Sequence, residues 1–454
     1  LQILAGVIFS VPVLYTSRTA KRIFQTGTRI LAVVAKPRRQ PLLRSLLITS
    51  LLCLSIPEGI AAPDQVILPA DILPTQILPT IMQQAAFYQP PGQLPQLIMP
   101  ADIAVFDAYK SWLNEQIVEQ QIPGAAIAIV SSTGILDLQT WGVRSVDDQQ
   151  PVAPETVFRV ASVSKTFAGT VGAQLVNHNI LGWDEPISHF VPLSQLGTDP
   201  SASQQLTLRH VLSHSTGLMP HAFSNLLDAG VAYEKIQEKF HEIPSVCAPG
   251  RCYGYQNVVF SLVADVIENS LNTDYDAFVE ENIFAPLGMD TASMGLQGFQ
   301  NNPNASSPHQ YGRGSWRVST LNPAYYSVGP ASGVNATIVD MSRWAQAHLG
   351  GFPEVLSPSL LEMVHTPVVE TPHGNYFNRW PRLQKAWYGL GWRVMDYAGM
   401  RIIHHGGGVR GYRSEMVLVP EHNIALVVLF NAQTPLANEV VPQFLDQLLL
   451  APTP

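Results

Sequence analysis

A serine and a lysine three residues apart, Ser162 and Lys165, lie in the stretch Phe158-Arg159-Val160-Ala161-Ser162-Val163-Ser164-Lys165-Thr166-Phe167. On a helix, side chains at that spacing share a face. A serine hydroxyl is a weak nucleophile until an adjacent base takes its proton. A lysine can be that base only when burial or a nearby positive charge lowers its pKa. Alone, the pair is also what an ordinary helix surface offers, so other groups must complete a site.

Two further segments offer such groups. Pro249-Gly250-Arg251-Cys252-Tyr253-Gly254-Tyr255-Gln256-Asn257 sets a tyrosine and an asparagine two apart, in a turn ahead of a helix over 258–269. A phenol beside a lysine, ionised or hydrogen-bonded, can relay a proton between nucleophile and leaving group. Asparagine can hold a substrate carbonyl and orient the lysine. The run His404-His405-Gly406-Gly407-Gly408-Val409-Arg410-Gly411-Tyr412 adds glycines on a strand edge. There they let a substrate backbone come close, and their N–H groups can hold an oxyanion. Neighbouring residues on a strand face opposite sides. Of the two histidines, His405 is assigned to the cleft by its spacing to Gly407.

The positioning elements follow from periodicity. Ile103, Phe106, Tyr109, Leu113 and Ile117 predict an amphipathic helix over about 102–121, stopped by Pro123-Gly124. Apolar runs at 125–130 and 135–142, around Ser131-Ser132-Thr133-Gly134, predict a hairpin. The serine-lysine helix is expected to continue to about His178. Residues 182–350 read as mostly helical with polar loops. Strands are expected at 388–394, 401–405, 415–419 and 425–430, and a closing helix at 437–450. With strands at both ends and helices between, the expected fold class is α/β, more strictly α+β. One antiparallel sheet is flanked by the first and last helices, with an inserted helical lobe. The expected domain spans 101–450, its α/β lobe at about 101–180 and 385–450 and its helical lobe at about 181–384. A cleft between lobes is the natural place for a site.

Hydrophobic residues make up 46% of the 454 and charged ones 13%, which excludes a disordered chain. Residues 1–62 hold eight of the 26 Lys+Arg but one acidic residue, Glu58. A basic region (Lys36, Arg38, Arg39, Arg44), an apolar run from Ser45 to Ile56 and the small-residue end Gly59-Ile60-Ala61-Ala62 match a signal peptide cleaved near Ala61 or Ala62. Uncut, the same run would be a membrane anchor. The expected location is therefore periplasmic or secreted. Residues 63–100 carry eight prolines and three Ile-Leu-Pro repeats, an extended linker. Beyond residue 62, 18 basic residues face 33 acidic ones, a net charge of −15. That excludes nucleic acid as a partner, since phosphate binding needs basic patches. A small molecule or peptide substrate remains. Cys247 and Cys252 are a close pair. In an exported protein they imply a disulfide, and otherwise two free thiols.

In this order the three segments resemble the family of serine β-lactamases, penicillin-binding peptidases and related esterases, and most of all its class C β-lactamase-like branch. Thr207-Leu208-Arg209-His210-Val211-Leu212-Ser213-His214-Ser215-Thr216-Gly217-Leu218, Ala331-Ser332-Gly333-Val334 and Tyr388-Gly389-Leu390-Gly391-Trp392 add to the match, which covers about 102–450. The resemblance implies Ser162 as acylated nucleophile, Lys165 as its base and Tyr255 as proton relay. It implies Asn257, His405 and Gly407 as substrate-binding residues, and the N–H groups of Ser162 and Gly408 as oxyanion hole. No metal or cofactor is implied.

One departure bears on function. Where β-lactamases proper usually carry lysine, this chain has His405, mostly neutral at pH 7. Carboxylate recognition and tyrosine activation should both weaken. The expectation is therefore an exported serine hydrolase acting through an acyl-enzyme on a β-lactam, a D-amino-acid peptide or a small ester. The alternatives are a class C-type β-lactamase proper, a carboxylesterase, and a non-catalytic penicillin-binding or cell-wall protein. A zinc hydrolase built on His210 and His214, four apart on an expected helix, lacks an obvious third ligand.

Overall fold

The computed structural model describes residues 106–191, 195–372, 377 and 380–450. The expected signal segment and proline-rich linker lie outside these residues. Eight strands form one antiparallel sheet: β1 (Gly124–Ser131), β2 (Gly134–Gly142), β3 (Val369–Glu370), β4 (Leu383–Tyr388), β5 (Arg393–Tyr397), β6 (Met400–Val409), β7 (Tyr412–Val419) and β8 (Ile424–Phe430). Their spatial order is β2-β1-β8-β7-β6-β5-β4-β3. The hairpin expected near the start thus joins the strands expected near the end, through β1–β8 pairing from Ala125↔Phe430 to Val130↔Ala425. Both strands are buried along their whole length. Ala126 and Ala128 face one core, and Ile127 and Ile129 the other. Burial on both faces explains why these strands read as continuous apolar runs rather than alternating ones.

The helices that frame the site are α1 (Asp107–Glu119), α2 (Ser164–Asn177), α3 (Leu208–Leu212), α4 (Leu262–Leu271), α5 (Ile338–His348) and α6 (Val440–Leu450). The first and last cover the outer face of the sheet. Phe106 stacks on Phe444 at 5.5 Å, and the Tyr109 hydroxyl donates to the Val440 carbonyl at 3.1 Å. On the inner face, α5 starts with a reciprocal cap: the Thr337 hydroxyl accepts from the Asp340 N–H, and the Asp340 carboxylate accepts from the Thr337 N–H. From α5, the Trp344 indole donates to the Thr166 hydroxyl at 2.9 Å, and its ring stacks on Phe167 at 4.0 Å. This contact clamps α2, the helix that carries Lys165.

Several expectations shift. The stretch 388–394 is not one strand but the end of β4, a turn, and the start of β5; the Gly389 N–H donates to the Trp392 carbonyl at 2.7 Å. Gly391 adopts φ +75°, and a Cβ there would strike the Lys165 carbonyl, so the turn lies directly on α2. The strand expected at 401–405 runs on to Val409, because its glycine half has no side chains to show an apolar pattern. Phe158–Arg159, from the α/β lobe, joins Ser293–Met294 and Val334–Ala336 of the helical part in a three-stranded sheet too short to leave a period in the sequence.

Candidate active site

The site begins with a strained turn. From the strand Phe158–Arg159 the chain enters a 3-10 turn, Ala161–Val163, and α2 starts only at Ser164. Ser162 therefore sits just ahead of the helix expected to hold it, and Lys165 lies in the first turn. Ala161 adopts φ +49°, a left-handed conformation that costs a non-glycine residue about 1–2 kcal/mol. Such strain persists where surrounding structure fixes it and gathers at functional sites. Here the neighbouring Val160 carbonyl accepts from the Ser414 hydroxyl on β7 at 2.7 Å, and the Val160 N–H reaches the Val334 carbonyl at 3.2 Å.

Lys165 is fully buried while Ser162 is half-exposed. Burial, and after it the Arg393 charge, hold the Lys165 pKa well below the usual lysine range. An uncharged amine has two N–H bonds and one lone pair. Asn257 Oδ1 at 2.9 Å and the Ala331 carbonyl at 3.0 Å take the two N–H bonds. The remaining direction faces Ser162 Oγ at 3.4 Å. That is the arrangement in which the lone pair can receive the serine proton, with the looseness common before a substrate tightens the site.

Tyr255 comes in from the loop ahead of α4. The residue is half-buried, and the Ser162 side chain bears on its hydroxyl. Burial raises its pKa, which Ser162 only partly opposes, so it rests as a phenol rather than a phenolate. The Lys165 ammonium position lies 4.7 Å from the centre of the Tyr255 ring. Cys247 and Cys252, five residues apart, form a disulfide in the same loop.

The glycine strand closes the site from the sheet. Pairing of β5 with β6 stops at Arg393↔His404, while β6 stays paired to β7 as far as Val409↔Tyr412. From His405 onward β6 therefore has one free edge. A Cβ on Gly407 would collide with the Val160 carbonyl and the Ser414 hydroxyl and come within 3.2 Å of the Ser162 nitrogen. Arg413, on β7, donates from Nε to the Gly407 carbonyl at 3.2 Å. In a trans peptide the Gly408 N–H points the opposite way, to the free edge. A cleft of about 610 Å³ is lined by Gly406 to Gly408 together with Asp228, Asn322, Tyr325, Arg410 and Arg413, and Ser162, Lys165 and Tyr255 are not among its lining residues.

The two histidines of the motif part ways as strand geometry requires. His404 donates to the buried Glu415 carboxylate at 2.9 Å. His405 Nδ1 donates to the Gly406 carbonyl at 2.9 Å, leaving Nε2 to accept from the Tyr388 hydroxyl at 2.8 Å. Only 1% of His405 is exposed, so its ring supports the cleft floor instead of opening onto the cleft. Burial, followed by the charge of Arg393, holds it neutral. His210 and His214 do not share a helix face. Helix α3 ends at Leu212, and His214 follows in a left-handed conformation at φ +57°. His210 meets Thr207 across the start of α3, and His214 accepts from the Gln256 N–H at 3.2 Å beneath Tyr255.

Three participants escaped the sequence reading: the Ala331 carbonyl, the Tyr388 hydroxyl and the Arg393 guanidinium. All three lie in or beside strings that carry the family resemblance. A cation directly after Tyr388-Gly389-Leu390-Gly391-Trp392 was the available signal for Arg393.

A hydroxyl poised against a buried amine, on an antiparallel sheet with an inserted helical part, defines the class as a serine hydrolase. A sequence profile of the β-lactamase family matches residues 105–450, and the chain belongs to that family. It is 26% identical over 329 residues to an unguisins hydrolase of Aspergillus campestris, covering 68% of this chain and 58% of that protein. It is also 26% identical over 323 residues to a D-aminopeptidase of Gluconobacter oxydans, covering 68% of this chain and 56% of that protein. The chain thus spans somewhat over half the length of both. Its fold is similar to that of an octameric penicillin-binding protein homologue from Pyrococcus abyssi, with a TM-score of 0.67, 21% identity and 77% of each chain covered.

Proposed function

We propose that the protein hydrolyses an amide or ester through an acyl-enzyme formed on Ser162. The observation that carries this reading is the Lys165 amine, whose two N–H bonds are taken by Asn257 and Ala331 while its third direction faces Ser162 Oγ. Ser162 Oγ attacks the substrate carbonyl as Lys165 takes its proton. The N–H groups of Ser162 and Gly408 hold the oxyanion. The proton passes through the Tyr255 phenol to the leaving group, whose departure leaves the ester on Ser162. Water then attacks that ester, giving its proton back along the same path, and the acid product is released.

Within this reaction a peptide-like substrate is favoured over a β-lactam. An extended chain can add to the free edge of β6 by main-chain hydrogen bonds. At position 405, where a lysine would recognise a carboxylate, the buried neutral His405 has both ring nitrogens engaged. The resemblance to a D-aminopeptidase points the same way. Export remains part of the proposal, supported by the Cys247–Cys252 disulfide and the signal-like residues 36–62. The test is turnover of a chromogenic ester and of D-amino-acid peptides, with intact mass recorded after exposure to benzylpenicillin. Ser162→Ala should lose turnover of every substrate the parent accepts. Full turnover by that variant would refute the mechanism, and a long-lived penicilloyl adduct with no peptide turnover would favour the penicillin-binding alternative.

A further inference from the structure

The sequence implied a site short of positive charge, because histidine replaces lysine at 405. The fold brings a cation in from a different strand. Arg393 opens β5, immediately after the turn whose Gly391 lies against the Lys165 carbonyl, so its backbone is fixed relative to α2. Its guanidinium carbon lies 5.4 Å from the ring centre of Tyr388 and 6.0 Å from those of Tyr253 and Tyr255. Cations over aromatic faces at such distances are held by the ring quadrupole. Tyr388 in turn holds His405. The guanidinium therefore overlooks the proton relay from β5, the strand beside β6.

We propose that Arg393 supplies the standing positive charge of this site, replacing the lysine missing at position 405, and acts through Lys165 and Tyr255 as a positioning residue. The inference rests on the acyl-enzyme reading above. The physical sense is direct: a fixed cation opposes protonation of a nearby amine and eases loss of a proton from a nearby phenol. Its charge is the one felt by Lys165, and it bears in the same direction on His214 and His405. Arg410 and Arg413 also line the cleft, at the Gly408 end of β6, whereas the phenols and imidazoles around the cluster carry no charge at neutral pH. Tyr255, Tyr388 and Tyr325 are phenols held protonated by burial. His214, His221 and His405 are imidazoles whose pKa burial lowers. The Asp228 carboxylate, which lines the cleft, bears on Tyr325. Arginine suits the task because its own charge persists at any pH the enzyme meets.

The test uses the rate of labelling by a fluorophosphonate, measured against pH in the full chain. In the parent the rate should fall on the acid side as Lys165 takes a proton. Arg393→Gln should move that acid limb upward by about one pH unit, a roughly tenfold loss below it, with the parental rate regained above it. Arg393→Lys should leave the limb near its parental position. An Arg393→Gln profile that superimposes on the parent, or an Arg393→Lys limb displaced as far as that of Arg393→Gln, would overturn the inference. So would loss of labelling at every pH in Arg393→Gln, Arg393→Met and Arg393→Lys alike, which would mark a purely structural role. A parent that takes no label, or takes it equally in Ser162→Ala, would instead sink the hydrolase reading itself.

Discussion

Burial acts in opposite senses on the two groups that would move protons. It strips water from the Lys165 ammonium, favouring the amine, and from the Tyr255 phenolate, favouring the phenol. Both shifts favour the neutral forms, which suits Lys165 to act as base and Tyr255 as donor. Activity should therefore fall as pH drops through the lowered lysine pKa, because a protonated amine cannot accept. It should not fall on the alkaline side through Tyr255 below pH ~10, because the phenol stays protonated past its ordinary value. A pH profile of kcat/KM for a chromogenic ester reads both limbs, and an alkaline fall below pH 9 removed by Tyr255→Phe would contradict the assignment. At this scale the grouping of Ser162, Lys165, Tyr255 and Asn257 was legible because their chemistry and spacing are written in side chains, and Gly407 was placed by the spacing of its glycine run. The Ala331 carbonyl was not, since a backbone acceptor looks the same at every position. Arg393 was not, since its place depends on how a four-residue turn docks on α2.

Elements matter here through how closely they approach. The glycine half of β6 lies against the Ser162 turn, with Gly407 where any side chain would strike the Val160 carbonyl and the Ser414 hydroxyl. Gly407→Ala should push β6 away and move the Gly408 N–H out of place. Loss of one oxyanion donor typically costs about 10²–10³ in turnover. Acylation of Gly407→Ala, followed by stopped-flow release of nitrophenol, should be slowed by at least ten-fold; an unchanged rate would show that the strand can yield. The strand itself was foreseen at 401–405 but not its continuation to Val409, because glycines carry no apolar signal. The Gly389–Trp392 turn was mistaken for strand because its leucine and tryptophan are buried, and apolar content alone does not separate a buried turn from a buried strand.

Among the described residues, the first and last segments build the sheet and the middle builds the other side of the fold. That plan was readable from the distribution of strand-like and helix-like runs, because β1, β8 and α6 bury apolar stretches and α1 an apolar stripe at helical spacing. The middle was harder to read. Helices such as α3 are five residues long, held by caps and packing rather than by a sustained period. The ends should also dominate stability. Phe444, fully buried between Phe106 and Tyr109, ties α6 to α1, and Phe444→Ala should cost about 3–5 kcal/mol in urea unfolding. A loss under 1 kcal/mol would show that the outer layer is not integral to the fold.

The claim on which the rest depends is a covalent bond to one oxygen, made possible by one uncharged amine. Peptide mapping by tandem mass spectrometry after fluorophosphonate treatment, on the parent and on Lys165→Met, tests it most directly. The expected result is a single adduct on Ser162 in the parent and almost none in Lys165→Met with its fold intact. An adduct on another residue, or equal labelling of Ser162 in both proteins, would contradict it.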